Sequence, residues 1–413
     1  MNKAVIISLS VMLFAGLFSC TEKDPAPTDS PTPTTPTGYV TPTGTPDGPL
    51  ITATIGAAGG SIESDDKRIR VEIPAGALTA NQTITLQPIT NQAPNGKGKA
   101  FRLTPHGQEF AKPATISFHY TEEELNGTFA EALGIAYQNE KGIWKVPTGL
   151  TLNKEAKTVT IKTTHFSDWS FFEAISLEPA YRYMDPGEKG NLAVRYVLPD
   201  EFLFVPIGDE AQELELLNPE HLLDAKYIDK WELKGDGELK STNSTAVYQA
   251  PNHIPGQNPV RVEVSITSKG KAIGLLIARI YVAPEGITLQ IDGGDWITFR
   301  GGANFNHIQN VIEGKNGSQY VSMGWSGGRQ GQFHWTLNTD VSFVLFSGVR
   351  HYQNRYGTRP DISGGTLNID TDQWQGYVLG TFHLEPAGWY QADPYNPVGT
   401  SQIRGIFRVK SVN

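Results

Sequence analysis

Ile69-Arg70-Val71-Glu72-Ile73-Pro74 puts three branched apolar residues on one side of an extended chain and two charged residues on the other. That two-residue period is what a strand with one buried face requires; a helix would scatter the same side chains around its surface. The pattern recurs outward in both directions. Thr52-Ala53-Thr54-Ile55 and Gly59-Gly60-Ser61-Ile62 precede it, and Thr83-Ile84-Thr85-Leu86 and Thr115-Ile116-Ser117-Phe118-His119-Tyr120 follow. Glycine-bearing turns separate these runs. Across 413 residues the chain carries 43 Gly, 27 Pro and only four Met, so turns are frequent and long helical patterns are missing. The predicted fold class is all-β, with tandem β-sandwich domains.

Within residues 50 to 173, Ala58-Gly59-Gly60, Ile73-Pro74-Ala75-Gly76-Ala77-Leu78, Leu103-Thr104-Pro105-His106-Gly107 and Phe110-Ala111-Lys112-Pro113 resemble the ZU5 family. That resemblance implies a β-sandwich with a structural or interaction role. The segment closes in His165-Phe166-Ser167, which resembles the self-cleavage site of death-domain relatives that carry ZU5 modules. Carried over, Ser167 would be the nucleophile, Phe166 would supply the scissile carbonyl and His165 would be the base. The alternative is a last strand with Phe166, Trp169 and Phe171 turned inward.

Residues 175 to 284 carry strand-like runs at 191–198, 227–233, 260–266 and 273–282. Trp231, Gly235, Gly237 and Tyr248-Gln249-Ala250-Pro251 resemble bacterial immunoglobulin-like repeats with a core Trp and a Tyr-x-Ala-Pro strand end. An immunoglobulin-like β-sandwich is therefore expected, with residues 200 to 223 as an inserted excursion.

From 286 to 413 the aromatic density rises, and five of the eight tryptophans fall after residue 285. Strands are expected at 287–291, 296–299, 332–337, 341–346, 365–369, 377–384 and 402–409. Gly380-Thr381-Phe382 and Gly405-Ile406-Phe407 resemble the paired Gly-x-Phe strands of a C-terminal β-sandwich found in Gram-negative lipoproteins. A sandwich or open barrel with one aromatic-lined face is expected. Trp389, Tyr390 and Tyr395 lie in a Pro- and Gly-rich stretch and are the candidate ligand-binding residues, because flat rings in surface loops stack on sugars.

The N-terminus specifies a compartment. Lys3 precedes an apolar run from Ala4 to Phe18, the layout of a secretory signal. Leu17-Phe18-Ser19-Cys20 resembles the lipobox of bacterial lipoproteins, which implies cleavage before Cys20 and its lipidation. Cys20 is the only cysteine, so with Cys20 lipidated no thiol remains, and disulfides, thiolate metal sites and cysteine catalysis are excluded together. Thr21-Glu22-Lys23-Asp24 resembles signals that send lipoproteins to the outer face of the outer membrane; the periplasmic face is the alternative. Residues 21 to 49 form a Pro/Thr-rich linker, expected to be disordered, with a reach of roughly 90 Å in the polyproline limit.

The remaining chemistry narrows by exclusion. A net charge of −9 argues against nucleic acid. Asp292-Gly293-Gly294-Asp295 and Asp370-Thr371-Asp372 read as turns rather than calcium loops. The histidines lack zinc-ligand spacing, and no phosphate loop, dinucleotide fingerprint or Gly-x-Ser-x-Gly elbow appears. No metal and no cofactor is expected. The expected partners are the membrane, through Cys20, and a glycan or protein ligand. The leading functional expectation is a non-enzymatic, lipid-anchored envelope protein presenting β-domains for binding. Alternatives are an assembly accessory whose first two domains form the interface, an autoproteolytic module, and a hydrolase on a β-scaffold.

Overall fold

The computed structural model describes residues 38–204, 212–305, 309–338, 340–357, 361–374, 376–391 and 397–411. Their regular structure is strands plus four single-turn 3₁₀ segments, with no α-helix among them. The all-β expectation holds. Cys20 and Tyr395 lie outside the described residues.

Ile69-Arg70-Val71-Glu72-Ile73 forms a strand, Ile69–Ile73, with Ile69, Val71 and Ile73 buried and Arg70 and Glu72 turned outward. It belongs to a five-stranded sheet ordered Gly60–Glu63, Ile69–Ile73, Ala114–His119, Thr158–Thr163, Thr151–Asn153. A seven-stranded sheet is ordered Ile51–Ile55, Gln82–Ile89, Ala100–Thr104, Asp168–Glu173, Leu133–Gln138, Trp144–Val146, Leu214–Glu215. Residues of both sheets share one apolar cluster, in which Phe118 stacks on Phe171 at 5.7 Å between ring centroids. Each fully buried aromatic of this kind contributes on the order of 3 kcal/mol.

Two features tie the expected segments together more closely than a linear string of domains would. Leu214–Glu215, from the expected excursion, pairs antiparallel with Trp144–Val146 of the first sheet. A single apolar cluster also joins Ile89, Trp144 and Phe172 to Ile175, Leu192, Val262 and Ile280 of the following segment. The linker expected to run to Pro49 is fixed from Gly38 onward. Val40 bridges Ile143 and Pro46 bridges Ile89, while Trp144 Nε1 donates to Thr41 Oγ1 at 2.8 Å and Gln138 Nε2 to the Thr41 carbonyl at 3.0 Å. Proline-rich sequence lacks donors for a central strand, yet its carbonyls serve well as acceptors along a sheet edge.

The middle segment consists of two four-stranded sheets. One is ordered Ile175–Glu178, Lys189–Tyr196, Thr245–Gln249, Glu238–Thr242; the other Tyr181–Met184, Lys271–Val282, Val260–Ser268, Ile228–Lys234. Trp231, expected in the core, sits on the edge strand Ile228–Lys234, only partly buried, and donates through Nε1 to the Asn243 carbonyl at 2.9 Å. The fully buried aromatic is Tyr248, whose hydroxyl donates to the Asp236 carbonyl at 2.8 Å. Gly237, at φ +114°, lies against that ring so closely that a Cβ would come within 2.6 Å of it.

The C-terminal segment closes into a ring of eight strands. Gly286–Ile291, Ile297–Phe305, Asn310–Asn316, Gln319–Trp325, Val341–Ser347, Arg350–Gln353, Tyr377–Gln391 and Pro397–Ser411 pair in succession, and Pro397–Ser411 pairs back onto Gly286–Ile291. Closure removes the free edges that an open barrel or sandwich would keep. Gly331–His334 and Thr366–Trp374 extend the sheet outward from Tyr377–Gln391. The two Gly-x-Phe motifs explain the packing inside. Gly380 faces Phe407 and Phe382 faces Gly405 across adjacent strands, and a Cβ on Gly380 would lie 2.3 Å from the Phe407 ring, one on Gly405 2.2 Å from Phe382. Each ring occupies the space that its glycine leaves.

Candidate ligand-binding cleft

An open cleft of about 710 Å³ forms where the first segment, the middle segment and the barrel meet. Its aromatic wall follows from strand periodicity. In Tyr181–Met184 the alternation sends Tyr181 and Tyr183 to one face, and the parallel register with Lys271–Val282 sets Tyr281 opposite Tyr183. The Tyr183 and Tyr281 rings stack at 4.9 Å with an interplanar angle of 15°. Tyr183 is buried beneath, Tyr281 is half-buried, and Tyr181 is 38% exposed at the mouth.

The other walls are polar. Glu123 and Glu124 come from a 3₁₀ turn of the first segment, and Gln330, Gln332, Asn368, Asp370 and Thr381 come from the barrel. Contacts cross the cleft: Gln332 Nε2 donates to Glu123 Oε1 at 3.3 Å, the Tyr183 hydroxyl donates to Asp370 Oδ2, and Asn126 Nδ2 donates to the Tyr181 hydroxyl. Asp370 opens to solvent on the cleft side while protein crowds it from the other. That partial desolvation raises its carboxyl above the ordinary range, Tyr183 opposes the rise, and Glu123 adds to it. Burial pushes Tyr181 up to about 12 and raises Tyr183 and Tyr281 as well, so all three phenols stay protonated donors at neutral pH. The arrangement offers ring faces for stacking and planar amide and carboxylate groups for paired hydrogen bonds.

A second cleft, lined by Arg102, His106, Tyr137 and Asp168 among others, surrounds the predicted self-cleavage triplet. Ser167 Oγ donates to the Gln138 carbonyl at 2.6 Å, Phe166 is buried in the core, and the His165 ring is held between Tyr137 at 4.7 Å and Trp169 at 5.7 Å. None of the three residues is among the positive-φ positions. The neighbouring Asp168 takes two bonds from Arg102, at 2.8 and 2.7 Å, and lies 3.4 Å from His106 Nε2. The hydrogen bond to Asp168 raises the Arg102 guanidinium further above its already high value. The Ser167 hydroxyl and the His165 ring are thus engaged with other neighbours rather than with one another.

Trp389 and Tyr390 sit on the long strand Tyr377–Gln391, not in a loop, and strand alternation turns them to opposite faces. Trp389 packs against the barrel core with the Arg350 guanidinium 4.4 Å above its ring. Tyr390 faces away, is 3% exposed and donates to the Arg355 carbonyl at 3.3 Å. They share no exposed stacking face. Asp370, read as a turn residue, lies in strand Thr366–Trp374. Asp292, at φ +50°, caps a turn and accepts from the Gln402 N–H at 2.7 Å. Among the described residues no group of three or more His, Cys, Asp or Glu could hold a metal ion.

Glu123, Tyr181, Tyr281 and Asp370 are spread over nearly 250 residues and meet only in the folded chain, so no sequence motif joins them as one site. The one local signal was Tyr181-Arg182-Tyr183, whose alternation puts two phenols on one face.

Sheets and cleft together define the class: an all-β, multi-sheet protein with a closed C-terminal barrel and an aromatic, carboxylate-bearing cleft. No protein-family model matches the chain, and no curated protein is significantly similar to it.

Proposed function

We propose that this chain is a non-enzymatic, lipid-anchored envelope protein that binds a glycan in the three-way cleft. The observation that carries the reading is the cleft's composition: the exposed Tyr181 ring and the Tyr281 ring stand beside Gln330, Gln332 and Asn368 amides and the Glu123, Glu124 and Asp370 carboxylates. Hydroxyl-rich ligands are recognised by this combination of stacking surface and planar hydrogen-bonding groups. The lipobox-like Leu17-Phe18-Ser19-Cys20 supports an acyl anchor at Cys20, and Thr21-Glu22-Lys23-Asp24 supports the outer face of the outer membrane. In this reading the residues before Gly38 act as a spacer. The ZU5-like and immunoglobulin-like motifs support a rigid presenting role for the first two segments, and the paired Gly-x-Phe strands a lipoprotein-type C-terminal module.

A printed glycan array probed with the full chain in detergent tests this reading. Specific binding that is lost in Tyr181→Ala/Tyr281→Ala, with the strand signature in circular dichroism retained, is expected; no binding to any glycan would sink it. A second reading, an assembly accessory, is favoured by the open groove beside the edge strand Glu238–Thr242, where Leu222 and Val247 are exposed. Capture of a defined envelope protein, abolished by Val247→Lys but not by the tyrosine substitutions, would support it.

A further inference from the structure

We propose, resting on the reading of the cleft as a glycan site, that it selects glycans bearing free amines, of the glucosamine type, over their N-acetylated counterparts. Two carboxylates face the cleft without a counter-charge. Glu124 is neutralised by Arg68 at 2.6 Å, but among the described residues neither Glu123 nor Asp370 makes an ion pair; their side-chain partners are neutral donors, Gln332 for Glu123 and Tyr183 for Asp370. An ionised carboxylate has room for about four donors, so most of the acceptor capacity of both groups is left for a ligand. The cation that acts on Tyr181 and Tyr281 is Arg279, the register partner of Tyr181. The charge that acts on Asp370 is instead the like charge of Glu123.

A ligand ammonium answers both features at once. It forms charge-assisted hydrogen bonds with Glu123 and Asp370, which are roughly twice as strong as neutral ones, and it is attracted to the faces of Tyr181 and Tyr281. A divalent cation fits less well, because calcium takes six to eight oxygen ligands and the described residues offer no cluster of that density. N-acetylation removes the positive charge from the sugar while leaving its ring to stack, so comparing the two forms isolates the carboxylates' contribution.

Calorimetric titration of the full chain in detergent with glucosamine hexamer and N-acetylglucosamine hexamer, just below neutral pH, is the test. The expected result is a preference of about tenfold or more for the free-amine hexamer, reduced by added salt and lost in Glu123→Gln/Asp370→Asn. Should that double variant fold poorly, the salt dependence of the wild-type protein serves in its place. Equal affinity for both hexamers, or preference for the acetylated one, overturns the charge selection while leaving the glycan site standing. Binding of neither hexamer, with other glycans retained on the array, overturns it as well. Loss of all glycan binding sinks both readings.

Discussion

Single residues decide local outcomes in this molecule through contact geometry. Gly380 and Gly405 each leave room for a phenylalanine of the neighbouring strand, so Gly405→Val forces a clash with Phe382 and with the Thr288 carbonyl. Overpacking of this kind costs about 1–3 kcal/mol, and urea unfolding of the variant should show a lowered midpoint; an unchanged midpoint would mean that the strands give way there. Glu173 is a titration case. Burial pushes its carboxyl up to about 7, against the opposing pull of Lys97 at 2.7 Å. Because the folded-state value lies above the ordinary one near 4.5, the neutral form favours folding. That contribution is complete below the ordinary value and is lost as pH rises through about 7. Glu173→Gln should therefore melt with wild type in acid and above it in mild alkali, and a variant less stable at alkaline pH would contradict the sign. At the triplet, Ser167 and His165 are engaged with Gln138 and with Tyr137 and Trp169. Intact-mass measurement after prolonged incubation is expected to show no cleavage at Phe166-Ser167.

At the scale of elements, the sequence was most legible where inward positions are filled by branched or aromatic residues. Ile69–Ile73, Ala114–His119 and Val260–Ser268 read directly as alternating strands and fold as such. The strands Asn310–Asn316 and Gln319–Trp325 did not. Their buried positions include Asn310, Gly314, Met323 and Gly324, which carry weak strand signals singly and become interior only through barrel closure. Trp389 and Tyr390 illustrate the converse. A loop assignment made them a pair, whereas a strand divides them between two faces. The proline-rich stretch from Gly38 has no apolar pattern and so reads as linker, yet it is held by hydrogen bonds to Gln138 and Trp144 and by the Lys99–Asp47 ion pair at 3.4 Å. A chain beginning at residue 50 should accordingly melt several degrees below one beginning at residue 38, at about 1 kcal/mol per lost buried hydrogen bond; equal melting temperatures would mean that the strap contributes nothing.

For the whole molecule, the cleft exists only because the first sheets, the middle sheets and the barrel form one compact unit from Gly38 to the C-terminus. Tyr183, Ala283, Leu379 and Ile406 form an apolar patch that joins the barrel to the middle segment, and the Tyr377 hydroxyl donates to Glu285 Oε2 at 2.7 Å. This explains why the site was not readable from sequence: its residues are brought together by docking, which no local pattern encodes. The most direct test is hydrogen–deuterium exchange on the full chain with and without a glycan selected from the array. The account predicts that protection rises together in the peptides bearing Tyr181, Tyr281, Gln330–Gln332 and Asn368–Asp370. Protection confined to one of these segments, or centred instead on Trp389, would contradict it.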